Sequence, residues 1–270
     1  ISYLNPTITW QTNVMGTVNI LESLRLLDKQ CVGIIVTSDK CYENQEWEWG
    51  YRESDKLGGN DPYSASKGSA ELVFKSYFES FFSKSKIKKI RVASARAGNV
   101  IGGGDWANNR IVPDCIRAWN QNKPAIIKSP NSTRPFQHVL EPLSGYLSLA
   151  KKLSLDESFS GHSFNFGPNS LSSYKVIDLV DELSKSWPKS KWEIQKNNNK
   201  EFIESKLLKL NCDKAFSLLK WRPYLNFELT AQLTSNWYFN FYDKSSLDIF
   251  NYCSEQIKFF NQLILKESML

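Results

Sequence analysis

Tyr63 and Lys67 stand four residues apart, so on a helix their side chains share one face about one turn apart. A lysine cation beside a phenol favours phenolate and brings its pKa from about 10 toward neutrality. Such a base can take a proton from a hydroxyl group while hydride leaves the same carbon. The spacing alone is weak evidence. With 11 tyrosines in the chain, roughly one Tyr-x-x-x-Lys arises by chance, and a core tyrosine beside a surface lysine reads equally well. The surroundings are more informative. Tyr63 lies in Asp61-Pro62-Tyr63-Ser64-Ala65-Ser66-Lys67-Gly68, a helix start whose small residues leave room for something flat to approach closely. Upstream, an apolar run ends in Thr37-Ser38-Asp39-Lys40. Ser38 can hydrogen-bond a reacting hydroxyl, while Asp39 and Lys40 offer a proton donor and a proton acceptor side by side. The plain alternative for Ser38 and Asp39 is a turn or cap, and for Lys40 simple exposure to solvent.

These residues need elements to carry them. From Thr7 to Asp28, Met15, Val18, Leu21 and then Leu24 or Leu26 recur at helical spacing and predict an amphipathic helix. Cys31–Thr37 is a short continuous apolar run, the pattern of a strand buried on both faces of a parallel sheet. A second helix is predicted from Pro62 to about Ser83, with Asp61 as cap and Pro62 in its first turn. Ile90–Ala97 is the next strand. Helix, strand, helix, strand predicts a doubly wound, Rossmann-like α/β fold, in which ligands bind beyond the carboxyl ends of the strands. Past Gly104 the pattern changes to a smaller mixed α/β lobe. It has short strands at Ala125–Lys128, His138 and Ser163–Phe166, and helices at Pro142–Lys152, Lys175–Trp187 and Asp213–Trp221. The aromatic-rich amphipathic segments Phe227–Tyr242 and Ser246–Leu265 are expected to close the core or a subunit contact. The expected division is 1–104 for the sheet and 105–270 for a substrate lobe, some of whose segments return to the sheet.

Composition narrows the function classes. The 270 residues are 41% hydrophobic and 23% charged, ordinary for a globular protein with a sizeable core. No stretch approaches the roughly 20 apolar residues of a bilayer span, and no charged-then-apolar leader opens the chain, so a soluble, cytoplasmic protein is expected. Cys31, Cys41, Cys115, Cys212 and Cys253 are odd in number and widely spaced, which predicts reduced thiols. His138 and His162 are the two histidines, too few to suggest a metal centre, and no metal is expected. The net charge of +6 comes from scattered lysines, with one dense group at Ser83–Lys89. Nucleic-acid binding, which calls for a continuous basic stripe, is not expected. The Asn197–Asn199 patch reads as a surface loop.

Five blocks then agree with one family. They are Thr37-Ser38-Asp39-Lys40-Cys41-Tyr42-Glu43-Asn44; Tyr51-Arg52-Glu53; Asp61 to Lys67; Ala95-Arg96-Ala97-Gly98-Asn99-Val100-Ile101-Gly102-Gly103-Gly104-Asp105-Trp106; and Thr133-Arg134-Pro135-Phe136-Gln137-His138-Val139-Leu140-Glu141-Pro142. The chain resembles the CDP-glucose 4,6-dehydratases, extended short-chain dehydrogenases, over nearly its whole length and more faintly after about Leu210. The resemblance implies a bound NAD, with 1–104 as the C-terminal part of the NAD-binding domain. It implies hydride transfer from carbon 4 of glucose to carbon 6, with water lost across carbons 5 and 6. The product would be CDP-4-dehydro-6-deoxyglucose, feeding deoxysugar synthesis for O-antigen lipopolysaccharide. In that reading Tyr63 is the base at the carbon 4 hydroxyl, Lys67 lowers its pKa and holds the nicotinamide ribose, and Ser38 orients the hydroxyl. Asp39 matches the acid for the carbon 6 hydroxyl. Lys40 stands where related dehydratases carry a glutamate base, and a lysine serves there only when deprotonated, which nearby positive charge and burial favour. Asn13 matches a helix asparagine near the cofactor, with plain helix packing as its alternative. Arg134, whose guanidinium fork suits diphosphate oxygens, and Asn99 carry over as substrate-binding residues. Arg110 does so more weakly, with a surface role beside it. A homo-oligomer is expected when full length.

The chain departs from the family in one respect. The glycine-rich loop and the acidic residue after the second strand, which hold adenosine diphosphate in such sheets, are absent from these 270 residues and are expected upstream of Ile1. Gly102–Gly104 lacks the strand, G-x-G-x-x-G and helix order and reads as a substrate-side turn. Two alternatives stand beside the dehydratase. A 4-epimerase needs the Tyr/Lys pair but no acid and base for water loss; a catalytically silent fragment would act as a binding or scaffold protein.

Overall fold

The computed structural model describes residues 2–83, 89–169, 174–195, 207–243 and 248–268. The lysines between Ser83 and Lys89, the Asn197–Asn199 patch and Ser246 lie outside the described residues. The chain divides into two compact units, Ile1–Gly98 with Pro142–Ser170 and Leu207–Arg222, and Asn99–Glu141 with Leu171–Lys206 and Pro223–Leu270.

The first unit is built on a parallel sheet whose order is Cys31–Val36, Ile90–Ala97, Ser163–Phe166. β-Branched residues dominate the first strand, and its register sets Cys31 opposite Ile90 and Val36 opposite Ala95. The central strand is buried from Val92 to Ala97. The first strand departs from the expectation of burial on both faces: it is only half-buried, and Val36 is 49% exposed. It has one neighbour among the described strands, and an edge strand yields part of its surface to solvent.

The first helix is interrupted. Pro6–Trp10 and Gly16–Leu26 are α-helical, and Gln11–Met15 between them forms a π-helical turn. Its inward seam also differs from the predicted one: Leu21 is buried, but Met15 and Leu26 are 50% and 73% exposed. Steps of three residues lag the 3.6-residue turn, so Met15 falls roughly 120° away from Leu21 around the axis.

The second helix runs Pro62–Tyr77 and continues through a π turn at Phe78–Phe82. Asp61 caps it, accepting from the backbone N–H of Tyr63 at 2.9 Å and of Ser64 at 3.1 Å. Phe74 and Phe82 pack with Leu21 and Val92, which fastens both helices to the sheet. Several small residues at its start serve the protein's own packing. Ser64, Ser66, Gly68 and Ala70 are buried, and a Cβ on Gly68 would stand 3.2 Å from the Cys41 carbonyl oxygen.

The second unit has three pairs of short strands: Val100–Ile101 with Gln137–His138, Ala125–Ile127 with Trp192–Ile194, and Thr133–Arg134 with Tyr174–Lys175. Helices Ile111–Asn120, Val176–Ser184 and Phe227–Tyr242 cover a core of Ile116, Trp119, Ile127, Leu179, Leu183 and Tyr238. Ile249–Ser268 packs on Phe227–Tyr242 and buries Phe260. The Gly102–Gly104 run is a packing feature. A Cβ on Gly103 would lie 1.9 Å from the Trp237 ring, and Tyr238 Oη donates to the Asp105 carbonyl at 2.7 Å. Trp106 then sits among Trp237, Tyr238, Phe241 and Tyr242.

No described helix is long and apolar enough to cross a membrane. Among the described residues no three His, Cys, Asp or Glu side chains gather as a metal site, and the five cysteines are free thiols. His138 is buried, which lowers its pKa to about 4 and keeps the imidazole neutral.

Candidate active site

Parallel register builds the site. Val36 lies opposite Ala95, and continuing the ladder through the Thr37 N–H bond to the Ala95 carbonyl at 2.8 Å brings Asp39 beside Gly98. The chain there closes a single 3₁₀ turn, Asp39–Cys41, in which the Cys41 N–H donates to the Ser38 carbonyl at 3.2 Å. Ser38 Oγ donates to Asp39 Oδ1 at 2.9 Å and accepts from the Lys40 N–H at 3.2 Å. Ser38 therefore has the cap role: its hydroxyl caps the turn and touches the carboxylate.

Asp39 is 2% exposed and lies directly on the Gly98 backbone, where a Cβ would stand 2.0 Å from its carboxylate. No side chain fits at position 98 while Asp39 keeps this place. Gly98→Ala is therefore expected to push the carboxylate out of position and to lower activity at least about tenfold, since small misplacements of catalytic groups cost up to about a hundredfold. Steady-state kinetics beside a thermal melt checks this; a variant with unchanged kinetics would show that Asp39 is free to shift.

The turn lies on the Tyr63 helix, at Gly68. Tyr63 is 38% exposed, so its phenol is reachable from solvent and not packed in an apolar core. Lys67 Nζ is 5.9 Å from the Tyr63 ring centroid. Burial pulls the Lys67 ammonium below the usual lysine range, opposed by Cys41 and Glu71. Asn13, in the π turn, donates through Nδ2 to Ser66 Oγ at 2.9 Å, and Ser66 Oγ donates to the Tyr63 carbonyl at 2.7 Å. Asn13 thus ties the first helix to the second next to Lys67.

The first unit holds Ser38, Asp39, Lys40, Tyr63, Lys67 and Asn13; the second holds Asn99, Arg110 and Arg134. Asn99 adopts left-handed backbone, φ 51°, and its carbonyl accepts from the Gln137 N–H at 3.2 Å. Arg134 is 7% exposed, and its Nη1 donates to the Thr133 carbonyl at 2.7 Å. Arg110 has a side chain 62% exposed and paired with Asp105 at 3.0 Å.

Sequence reasoning missed a buried ion pair beneath the turn, Arg96 with Glu71 at 2.7 Å, their side chains 3% and 1% exposed. Breaking a buried pair by removing one partner costs about 3–5 kcal/mol, because the other charge stays uncompensated. An arginine in the buried half of a strand, and a glutamate one turn past Lys67, were the signals available.

A tyrosine and a lysine one helical turn apart, gathered with an acid-bearing turn at the carboxyl end of a parallel sheet, mark a Rossmann-like α/β protein. The chain belongs to the GDP-mannose 4,6 dehydratase family, whose model matches residues 1–234. It is 44% identical over 226 residues to the CDP-glucose 4,6-dehydratase of Salmonella typhimurium, covering 83% of this chain and 62% of that protein. To the dTDP-D-glucose 4,6-dehydratase of Homo sapiens it is 24% identical over 211 residues, 76% of this chain and 55% of the relative. The chain thus spans only about three-fifths or less of these curated relatives. Among solved structures, the fold is shared with a UDP-glucuronic acid 4-epimerase from Bacillus cereus in complex with UDP-glucuronic acid and NAD, TM-score 0.71 at 19% identity, covering 86% of this chain and 68% of that one. It is also shared with a dTDP-glucose 4,6-dehydratase from Bacillus anthracis in complex with NAD, TM-score 0.66 at 21% identity, with the same coverage.

Proposed function

We propose that the protein containing this chain dehydrates CDP-glucose to CDP-4-dehydro-6-deoxyglucose, using bound NAD. The carrying observation is the Ser38–Asp39–Lys40 turn resting on the helix of Tyr63 and Lys67, since a base for oxidation and an acid for expelling water are then on adjoining elements. The 44% identical relative supports cytidine diphosphate as the nucleotide.

The residues present fit the cofactor. Lys67 is a partly buried ammonium that donates to none of the described residues, which leaves its hydrogens for ribose hydroxyls, and Tyr63 beside it is accessible. Tyr63, Lys67 and, behind them, Asn13 would hold the nicotinamide end; when bound, NAD supplies a hydride acceptor and donor. Tyr63 removes the carbon 4 hydroxyl proton, stabilised as phenolate by Lys67. Ser38 orients that hydroxyl. Asp39 gives a proton to the departing carbon 6 hydroxyl, and Lys40 takes the proton from carbon 5 and gives it back as carbon 6 is reduced. Asn99 and Arg134 bind the sugar and diphosphate, with Arg110 a weaker candidate. The protein is a homo-oligomer, its place in the cytoplasm is supported by five free thiols, and its product feeds deoxysugar synthesis for O-antigen lipopolysaccharide.

Incubating the full-length protein with NAD and CDP-, dTDP- or GDP-hexoses and following the 4-keto product tests this. Preferred turnover of another nucleotide sugar, or release of a carbon 4 epimer, would overturn it. Lys40→Met is expected to leave less than about a hundredth of the dehydration rate while calorimetric binding of the sugar nucleotide stays nearly unchanged. Full activity in that variant would remove Lys40 from the reaction.

A further inference from the structure

We infer that the buried Glu71–Arg96 pair is a positioning device that holds the Ser38–Cys41 turn from both ends, so that it governs water loss more than proton removal by Tyr63. The inference rests on the dehydratase reading above.

Thr37 immediately precedes the turn and Tyr42 immediately follows it. Thr37 Oγ1 donates to Glu71 Oε1. Tyr42 Oη accepts from Arg96 Nη1 at 2.8 Å, and the Arg96 guanidinium carbon lies 5.0 Å from the Tyr42 ring centroid. One ion pair thus grips the residue before the turn that carries the acid and base and the residue after that turn. The pair is itself oriented on several sides: Glu71 Oε2 accepts from Ser94 Oγ at 2.9 Å, Arg96 Nη1 donates to the Glu53 carbonyl at 3.1 Å, and Tyr42 Oη donates to Asn165 Oδ1 at 2.7 Å. Thr37, Tyr42, Glu71 and Arg96 are all buried.

A buried ion pair is a weak source of stability, because desolvation offsets most of the attraction; well-packed apolar side chains serve a core at least as well. What charges add is direction. Glu71 stands on the same helix as Lys67 and Tyr63, one and two turns beyond them, so the turn is registered to the helix that carries the base. Apolar packing would let a four-residue turn slide; hydrogen bonds to a fixed fork do not.

Thr37→Val and Tyr42→Phe each remove one grip and keep the side-chain shape. In the full-length protein with NAD and CDP-glucose, rapid-quench single turnovers separate 4-keto sugar that still carries its carbon 6 hydroxyl from the 6-deoxy product. Each variant is expected to slow formation of the 6-deoxy product about ten- to a hundredfold, with the hydroxylated 4-keto sugar accumulating and the KM little changed. Thr37→Ser, which keeps the donor, is expected to restore the rate to within about threefold. Hydrogen exchange at the Lys40 and Cys41 amides is expected to speed up in Thr37→Val and Tyr42→Phe but not in Thr37→Ser. If either variant is too unstable to purify, the other carries the test. Wild-type turnover with both variants dehydrating at the normal rate, or with both steps slowed equally, overturns this inference alone. A wild-type protein that forms no 4-keto product overturns the functional reading and this inference with it.

Discussion

Tyr63→Phe is expected to lower kcat roughly 10²–10⁴-fold, the range that a positioned general base supplies, while KM for the sugar nucleotide changes by less than about threefold. The substitution deletes one oxygen and leaves the helix start intact, because the Asp61 cap receives the backbone N–H groups of residues 63 and 64 and not the phenol. Tyr63 is partly exposed, so the thermal melt should move little. The ammonium that tunes the phenol is partly desolvated, and burial lowers its pKa. Its charge is therefore lost at a lower pH than that of a surface lysine, and the alkaline limb of the activity profile should fall below the ordinary lysine range. Rapid-quench kinetics of the full-length variant checks the rate. A rate within about fivefold of wild type would mean that another group takes the hydroxyl proton.

Asp39→Asn is expected to stop the reaction after oxidation, cutting 6-deoxy product about 10²–10³-fold while 4-keto sugar retaining its carbon 6 hydroxyl builds up. Asparagine preserves size where size matters, since the side chain lies against Gly98 with no space for a further atom. It also preserves an acceptor for the Ser38 hydroxyl, now 2.9 Å from Oδ1. Only the acidic proton is removed. Mass analysis of the quenched sugar nucleotides separates this outcome from general inactivation. Equal loss of both steps would move Asp39 from acid to scaffold, and normal dehydration would assign the acid to another group.

Much of the secondary structure was legible because the local patterns are strong. Ile90–Ala97, Ser163–Phe166 and Phe227–Tyr242 form where apolar runs and amphipathic periods predict them, and Asp61 caps the helix that it precedes. The π turn at Gln11–Met15 was not legible, since an added residue in a helix changes no residue type and its only trace is a shifted burial seam. The Gly102–Gly104 run has an aromatic partner, Trp237, more than a hundred residues away, which no local window contains.

Local spacing is enough to name the groups that can do chemistry: a phenol and an ammonium one helical turn apart, and a hydroxyl, a carboxyl and an amine in succession after a strand. Spacing within one element settles such relations, because helix and strand periods are fixed by backbone geometry. It took the folded packing to lay the carboxyl of Asp39 on the backbone of Gly98, to bring Asn13 to Ser66, and to set Glu71 and Arg96 at the two ends of the acid turn. Those contacts join residues far apart in the chain. They depend on strand register and on how each helix sits on the sheet, quantities set by the packing of the whole unit and not by any neighbouring residues.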